Sequence, residues 1–179
     1  MRLKEKYIRV ARGEYQKKFE VKNIMAIPKI TKVVLNLGIG KFSKEKDAFD
    51  EIFQAIRSIA GQNPVYARAK KSISGFKIRE KQEVGLNVTL RGERMWSFLE
   101  RLIQVALPRI RDFRGIDPKN IDQAGNLNLA VKEQIVFPEI AVENVKNIFS
   151  FQVTVVNSAK SKEQGLELFR LLGFPFKKE

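Results

Sequence analysis

Four stretches of the chain alternate apolar and polar residues, and this period of two limits the fold more than any other feature. In residues 30–39, Thr31, Val33, Leu35, Leu37 and Ile39 fall on one side, with Ile30, Lys32, Val34, Asn36 and Gly38 on the other. In 84–91, Val84, Leu86, Val88 and Leu90 alternate with Asn87, Thr89 and Arg91. Residues 127–131 carry Asn126 and Asn128 on the polar side, and in 149–155 Phe149, Phe151, Val153 and Val155 alternate with Gln152 and Thr154. Successive strand side chains point to opposite faces, so this pattern describes a mainly antiparallel sheet with one buried face and one wet face. A short extended piece is expected near Val65 to Ala69.

Between these stretches the period changes to that of a helix. Residues 3–19 place Leu3, Tyr7, Val10, Ala11 and Tyr15 near one face, with Gly13 weakening the helix. Residues 44–60 repeat Phe49, Ile52, Phe53, Ile56, Ile59 and Ala60, with Ser43 as a start cap and Gly61 as a stop. Residues 93–107 place Met95, Leu99, Leu102, Ile103 and Ala106 together, and Pro108 ends or kinks that helix. Residues 162–172 form a last helix, with Ser161 and Gln164 spaced as a capping box and Gly173 and Pro175 beyond its end. The expectation is an α+β fold in one domain, 1–179, a mainly antiparallel sheet with helices packed on one face and a polar other face, which the charge and the polar residues below turn towards RNA. A basic helix over 1–20 begins it, and a basic exposed loop spans 70–83.

Charge narrows the partner. The chain has 34 Lys and Arg against 20 Asp and Glu, a net +14, which points to RNA, DNA or an anionic membrane surface. No apolar run reaches membrane-spanning length and no signal peptide with an apolar core is seen, so a membrane partner is not expected. The chain holds no Cys and no His. Thiol chemistry, thiolate or histidine metal sites and Ser-His triads are therefore excluded. Glu133 and Glu139 show no partner beyond ordinary surface pairing, and Asp47, Asp50 and Glu51 sit at a helix start, where negative charge is favourable. No catalytic constellation emerges and no enzymatic role is expected.

The stretch NLGIGKFSKEKD, 36–47, resembles the start of a nucleotide-phosphate loop. Yet only Ile39 separates its glycines and Phe42 separates Lys41 from Ser43, too short a loop for a phosphate cradle. It reads as a tight strand-to-helix turn, or as a backbone contact to nucleic-acid phosphate. The polar strand positions Lys32, Asn36, Asn87, Thr89, Arg91, Asn126, Asn128, Gln152 and Thr154 read as a wet sheet face. Alternatively, they suit the hydroxyls, phosphates and base edges of a structured RNA, without aromatics for base stacking. Lys70, Lys71, Lys77, Arg79 and Lys81 flank Phe76 and Ile78 in a loop that is either simply solvated or a nucleic-acid contact. In RIRDFRGID, 109–117, mixed charge beside Phe113 suits a protein contact at least as well as RNA.

Several long stretches together carry a family resemblance: TKVVLNLGIG (31–40), AGQNPVYARAKKSISGFKIRE (60–80), VTLRGERMWSFLERLI (88–103), RIRDFRGI (109–116), NLNLAVKEQIVFPEI (126–140) and AKSKEQGLELFRLLGFPF (159–176). The chain closely resembles the bacterial form of the large-subunit ribosomal protein L5 family, essentially end to end. The resemblance implies a structural constituent of the large ribosomal subunit that binds 5S rRNA and helps dock it in the central protuberance. It implies contact with P-site tRNA and a bridge to a small-subunit head protein. Large-subunit rRNA and other 5S-associated ribosomal proteins are implied neighbours; no cofactor is implied. The location would be cytoplasmic, on the ribosome, or an organellar ribosome.

On the same resemblance, 5S rRNA binding falls on Lys32, Asn36, Gln62, Asn63, Lys70, Ser72, Thr89 and Arg91. The tRNA-contacting loop falls on Ser74, Gly75, Phe76, Lys77, Ile78 and Arg79. The small-subunit bridge falls on Arg109, Arg111, Asp112, Phe113, Arg114 and Gly115, and around Gln134 to Val145. The chain departs from the family pattern at Ala67, at Leu86 and Asn87, and at Val156 and Asn157; Asn87 in place of lysine removes a cation from the sheet region. Two rivals are a free-standing structured-RNA-binding or chaperone module, and a nucleotide-dependent enzyme built on GIGKFS.

Overall fold

The computed structural model describes residues 2–40, 46–140 and 145–177. Helix α1 runs without a break through Leu3–Lys6, a π turn at Tyr7–Ala11, and Arg12–Phe19. Strand β1 is Ile30–Gly38, helix α2 Lys46–Ala60, strand β2 Val65–Arg68 and strand β3 Glu83–Leu90. Helix α3 runs through Gly92–Arg101, a π turn at Leu102–Ala106, and Leu107–Arg109. Strands β4 (Leu127–Val131) and β5 (Phe151–Asn157) and helix α4 (Lys162–Leu172) complete the order. The described strands form one antiparallel sheet in the order β2-β3-β1-β5-β4. The α+β expectation holds.

The buried face is the one read from alternation. Val33, Leu35 and Leu37 on β1, Leu86, Val88 and Leu90 on β3, and Val153 and Val155 on β5 are all buried. They share one core with Ile52, Ile56 and Ile59 of α2, Met95, Phe98, Leu99 and Leu102 of α3, and Leu168, Phe169 and Leu172 of α4. Phe137, from the segment after β4, stacks on Phe98 at 5.9 Å and meets Phe151 at a tilt at 5.8 Å, linking α3 to the sheet. Helix α1 lies on α3 and α4 through Leu3, Tyr7 and Ala11, and the Tyr7 hydroxyl donates to the Pro28 carbonyl at 3.0 Å.

Three local expectations need correction. Ile30, assigned by alternation to the wet face, is buried. The β1–β5 register shifts between Ile30 and Lys32, and such a bulge reverses the side-chain parity on its far side. Arg91 is not a strand residue; it stands in extended conformation at the start of α3, one place past Leu90. Pro108 stands in the final turn of α3, directly after the π turn, and the helix stops one residue later at Arg109, in keeping with the expectation that it ends or kinks the helix. The last strand begins at Phe151 rather than Phe149, whose ring is buried all the same.

Caps set the other boundaries. The Ser161 hydroxyl accepts the Gln164 backbone N–H at 3.4 Å, and the Gln164 side chain accepts the Lys160 N–H at 3.1 Å, one residue further back than in the usual reciprocal box. Gly61 ends α2 at φ +65°, its N–H donating to the Arg57 carbonyl at 2.9 Å. The Ser43 cap lies outside the described residues.

Candidate nucleic-acid interface

The outer face of the sheet is built row by row from the strand register. Asn36 pairs with Asn87 on one side and Gln152 on the other, and Val65 and Ala130 extend that row to the two edges. The next row holds Thr89, Val34, Thr154 and Asn128. Both rows lack a charge and an aromatic ring.

The two halves of this face differ. Asn128 Oδ1 accepts from the Thr154 hydroxyl at 2.8 Å and from Gln152 Nε2 at 3.4 Å, so the β4–β5 half satisfies much of itself. Asn126 lies before β4 rather than on it, with its amide spent on Asp122 and on the Asn157 N–H. Among the described residues, the Asn36 and Asn87 side chains make no such bond, and Asn36 and Thr89 are exposed. The β1–β3 half therefore presents unspent donors and acceptors to a partner.

The turn after α2 brings Gln62 to the end of β3. Its Nε2 donates to the Thr89 carbonyl at 3.3 Å, and its Oε1 accepts from Arg94 Nη1 at 3.4 Å. Gln62, Asn63, Thr89 and Arg91 thus gather at one end of the sheet, and Lys32 stands one step beyond the Val33–Leu90 pair on the neighbouring strand. Asn36 sits further along the same face. Lys70 and Ser72 do not join this group: β2 runs antiparallel to β3, which carries them to the sheet's opposite end.

There the chain folds back on itself. Ala69 and Gln82 pair at 2.8 Å, and Ile73 and Ile78 exchange two backbone hydrogen bonds at 2.9 and 3.1 Å. The Ser72 hydroxyl accepts the Glu80 N–H at 2.9 Å. At the tip, Ser74–Phe76 makes a tight turn that closes through Lys77 at φ +54°. Phe76 is 76% exposed and Ile73 47%, so this basic finger carries an uncovered apolar tip.

Residues 109–115 follow α3 as a third surface. Arg109, Arg111, Asp112 and Arg114 are exposed, and Phe113 packs against the core. Gly115 is an architectural position at φ +96°, where a Cβ would meet the Lys177 nitrogen at 2.9 Å. Next to it, Ile116 and Pro175 pair at 2.7 Å. The 134–145 part of the expected bridge narrows. Gln134 is buried and spends its amide internally, donating to the Asn147 carbonyl at 2.6 Å and accepting the Phe149 N–H at 2.9 Å. Val136 and Phe137 are also buried, so these three side chains are closed to a partner.

Two carboxylates have firmer roles than the sequence suggested. Glu139 pairs with Arg101, whose other nitrogen donates to the Ile59 carbonyl at 3.1 Å, and burial lowers the Arg101 pKa. Glu51 reaches across to the segment before β5, accepting the Lys146 N–H at 2.9 Å.

Arg57 and Arg94 were not among the expected binding residues. They line an open cleft of about 690 Å3 with Gln54, Ser58, Gly61, Gln62 and Asn63. The available signal was the helical spacing of Gln54, Arg57, Ser58 and Gly61, a polar stripe opposite the buried Ile52, Ile56 and Ile59.

The family comparisons agree with this architecture. A family model described as ribosomal protein L5 matches residues 23–79, and a second, describing the C-terminus of the same ribosomal family, matches residues 83–176. The large ribosomal subunit protein uL5 of Symbiobacterium thermophilum is 50% identical over 174 residues, covering 97% of each chain. That of Halothermothrix orenii is 48% identical over 159 residues, covering 89% of each, and that of Moorella thermoacetica 46% over 176 residues, covering 98% of each. The alternating strands, the capped helices and these end-to-end matches lead to one conclusion: the chain belongs to the ribosomal protein L5 family, the structural, non-enzymatic proteins of the large ribosomal subunit that bind ribosomal RNA.

Proposed function

We propose that the chain binds 5S rRNA through the β1–β3 half of its outer sheet face and so helps hold that RNA in the central protuberance. The observation that carries this reading is the cluster of Asn36, Thr89, Arg91, Gln62 and Lys32, whose side chains lie on or beside a face with no charge in its central rows. Hydrogen-bonding groups supply fit to sugar, phosphate and base edge, while Lys32 and Arg91 supply attraction at its end. Lys70 and Ser72 contact the same RNA at the opposite end, which asks the RNA to run along the sheet. The exposed Phe76 finger, with Lys77 and Arg79, meets P-site tRNA. The 109–115 segment meets a small-subunit head protein, its mixed charge and half-buried Phe113 suiting a protein surface. Other 5S-associated proteins and large-subunit rRNA complete the surroundings.

A titration against 5S rRNA, tRNA and an unrelated structured RNA of equal length, at two salt concentrations, tests this reading. Preference for 5S rRNA that survives the higher salt is the expected result. Equal binding to all three, lost together as salt rises, would show that charge alone holds the RNA and would replace the reading with a general RNA-binding module.

A further inference from the structure

We infer that the cleft between α2 and α3 seats a stretch of RNA backbone on Arg57 and Arg94, carrying the RNA interface from the sheet face around its edge onto the helical layer. The inference rests on the 5S reading above and deepens it, adding an anchoring site that the resemblance did not supply.

The cleft is lined by Gln54, Arg57, Ser58, Gly61, Gln62, Asn63 and Arg94, two guanidinium groups among neutral polar groups with no carboxylate. At about 690 Å3 it has room for more than a lone anion. The contrast with Arg101 is informative. That residue lies on the same helix as Arg94 and is half-buried against Glu139. Among the described residues, neither Arg57 nor Arg94 has a carboxylate partner.

Helix electrostatics explain one of the two cations and not the other. Arg57 lies in the last turn of α2, where a positive charge meets the negative end of the helix dipole. Arg94 lies in the first turn of α3, where that dipole disfavours a cation. Two like charges lining one cleft also repel each other. An anion between them removes both penalties. An RNA backbone is the anion that fits best, because the cleft is continuous with the proposed interface. Arg94 donates to Gln62, and Gln62 donates to the Thr89 carbonyl. RNA following the sheet to Thr89 and Arg91 therefore reaches the cleft without leaving the protein.

The test compares wild type, Arg57→Gln, Arg94→Gln and Arg57→Lys in 5S rRNA titrations over a range of salt. Each glutamine variant is expected to reduce the slope of log affinity against log salt by about 1, as loss of one phosphate contact does. Arg57→Lys is expected to keep the wild-type slope. Arg57 is exposed, so its variants report on binding without disturbing the core, and matching amide spectra check the fold. Wild-type slopes in both glutamine variants would overturn the inference. Preference for 5S over tRNA is read on the wild type alone, so failure of the 5S reading and failure of the cleft are told apart.

Discussion

The Glu51 carboxylate of α2 accepts the backbone N–H of Lys146 at 2.9 Å, across 95 residues of chain. It also accepts the Asn147 N–H at 3.3 Å and its side-chain amide at 2.9 Å. Burial alone would raise the Glu51 pKa, but these bonds and the Lys146 charge outweigh it and hold the carboxyl below its ordinary value. The carboxylate thus pins the chain entering β5 onto the helical layer, beside the Gln134 bonds that hold the same segment.

A depressed carboxyl pKa stabilises the fold above the unfolded value, near 4.3 for Glu, and that contribution is lost as pH falls through the folded value. Glu51→Gln should lose about 1 kcal/mol at pH 7, the scale of a charge-assisted bond weakened to a neutral one. Its stability should also decline less than that of wild type between pH 5 and the acid limb. Urea unfolding at a series of pH values measures both. Parallel pH curves for the two proteins would remove Glu51 from this role.

Gly165 and Gly125 touch where α4 meets the loop before β4. A Cβ on Gly165 would stand 2.2 Å from the Gly125 carbonyl oxygen, and Gly125 itself is at φ +84°. No side-chain rotation relieves a collision with backbone, so Gly165→Ala should cost about 3 kcal/mol, the upper end for overpacking. Gly13 offers the control. It lies inside α1 with nothing within 4 Å of an added Cβ. Gly13→Ala should therefore stabilise by about 0.5–1 kcal/mol through helix propensity. Opposite shifts in denaturant midpoint are the expected outcome; equal shifts would contradict the packing argument.

Period-two patterning made the sheet's buried face legible because burial on one side leaves a direct mark on composition, as at Val33, Leu35 and Leu37. The same logic misplaced Ile30, since a bulge is a backbone event that leaves no residue signature here. Caps at Ser161 and Gly173 were legible because each solves a local hydrogen-bonding problem. Glu51, Glu139 and Gln134 were not, because their partners are distant in sequence and only the tertiary fold brings them together. The proposed binding group was read in part: alternation exposed Asn36 and Thr89, resemblance supplied Gln62, and Arg57 and Arg94 emerged only when α2 and α3 packed side by side.

Arg91 and the finger at 74–79 separate the two proposed RNA surfaces. They lie at opposite ends of β3, with Arg91 just past Leu90 and the finger before Glu83. If each serves its own RNA, their effects separate as well. Arg91→Ala should weaken 5S rRNA binding by roughly 1–3 kcal/mol and leave any tRNA contact intact. Lys77→Gly with Arg79→Ala should do the reverse. Glycine is the better replacement at 77, because the φ of +54° there costs it nothing while the charge is removed. The finger keeps its shape, since Ile73–Ile78 pairing and the Arg79 N–H bond to Gln82 involve backbone that the variants retain. Parallel titrations with 5S rRNA, and with tRNA on reconstituted large subunits, read out the pair. A large loss of 5S affinity in the finger variant would show that the RNA wraps further along β3 and that one surface, not two, binds it.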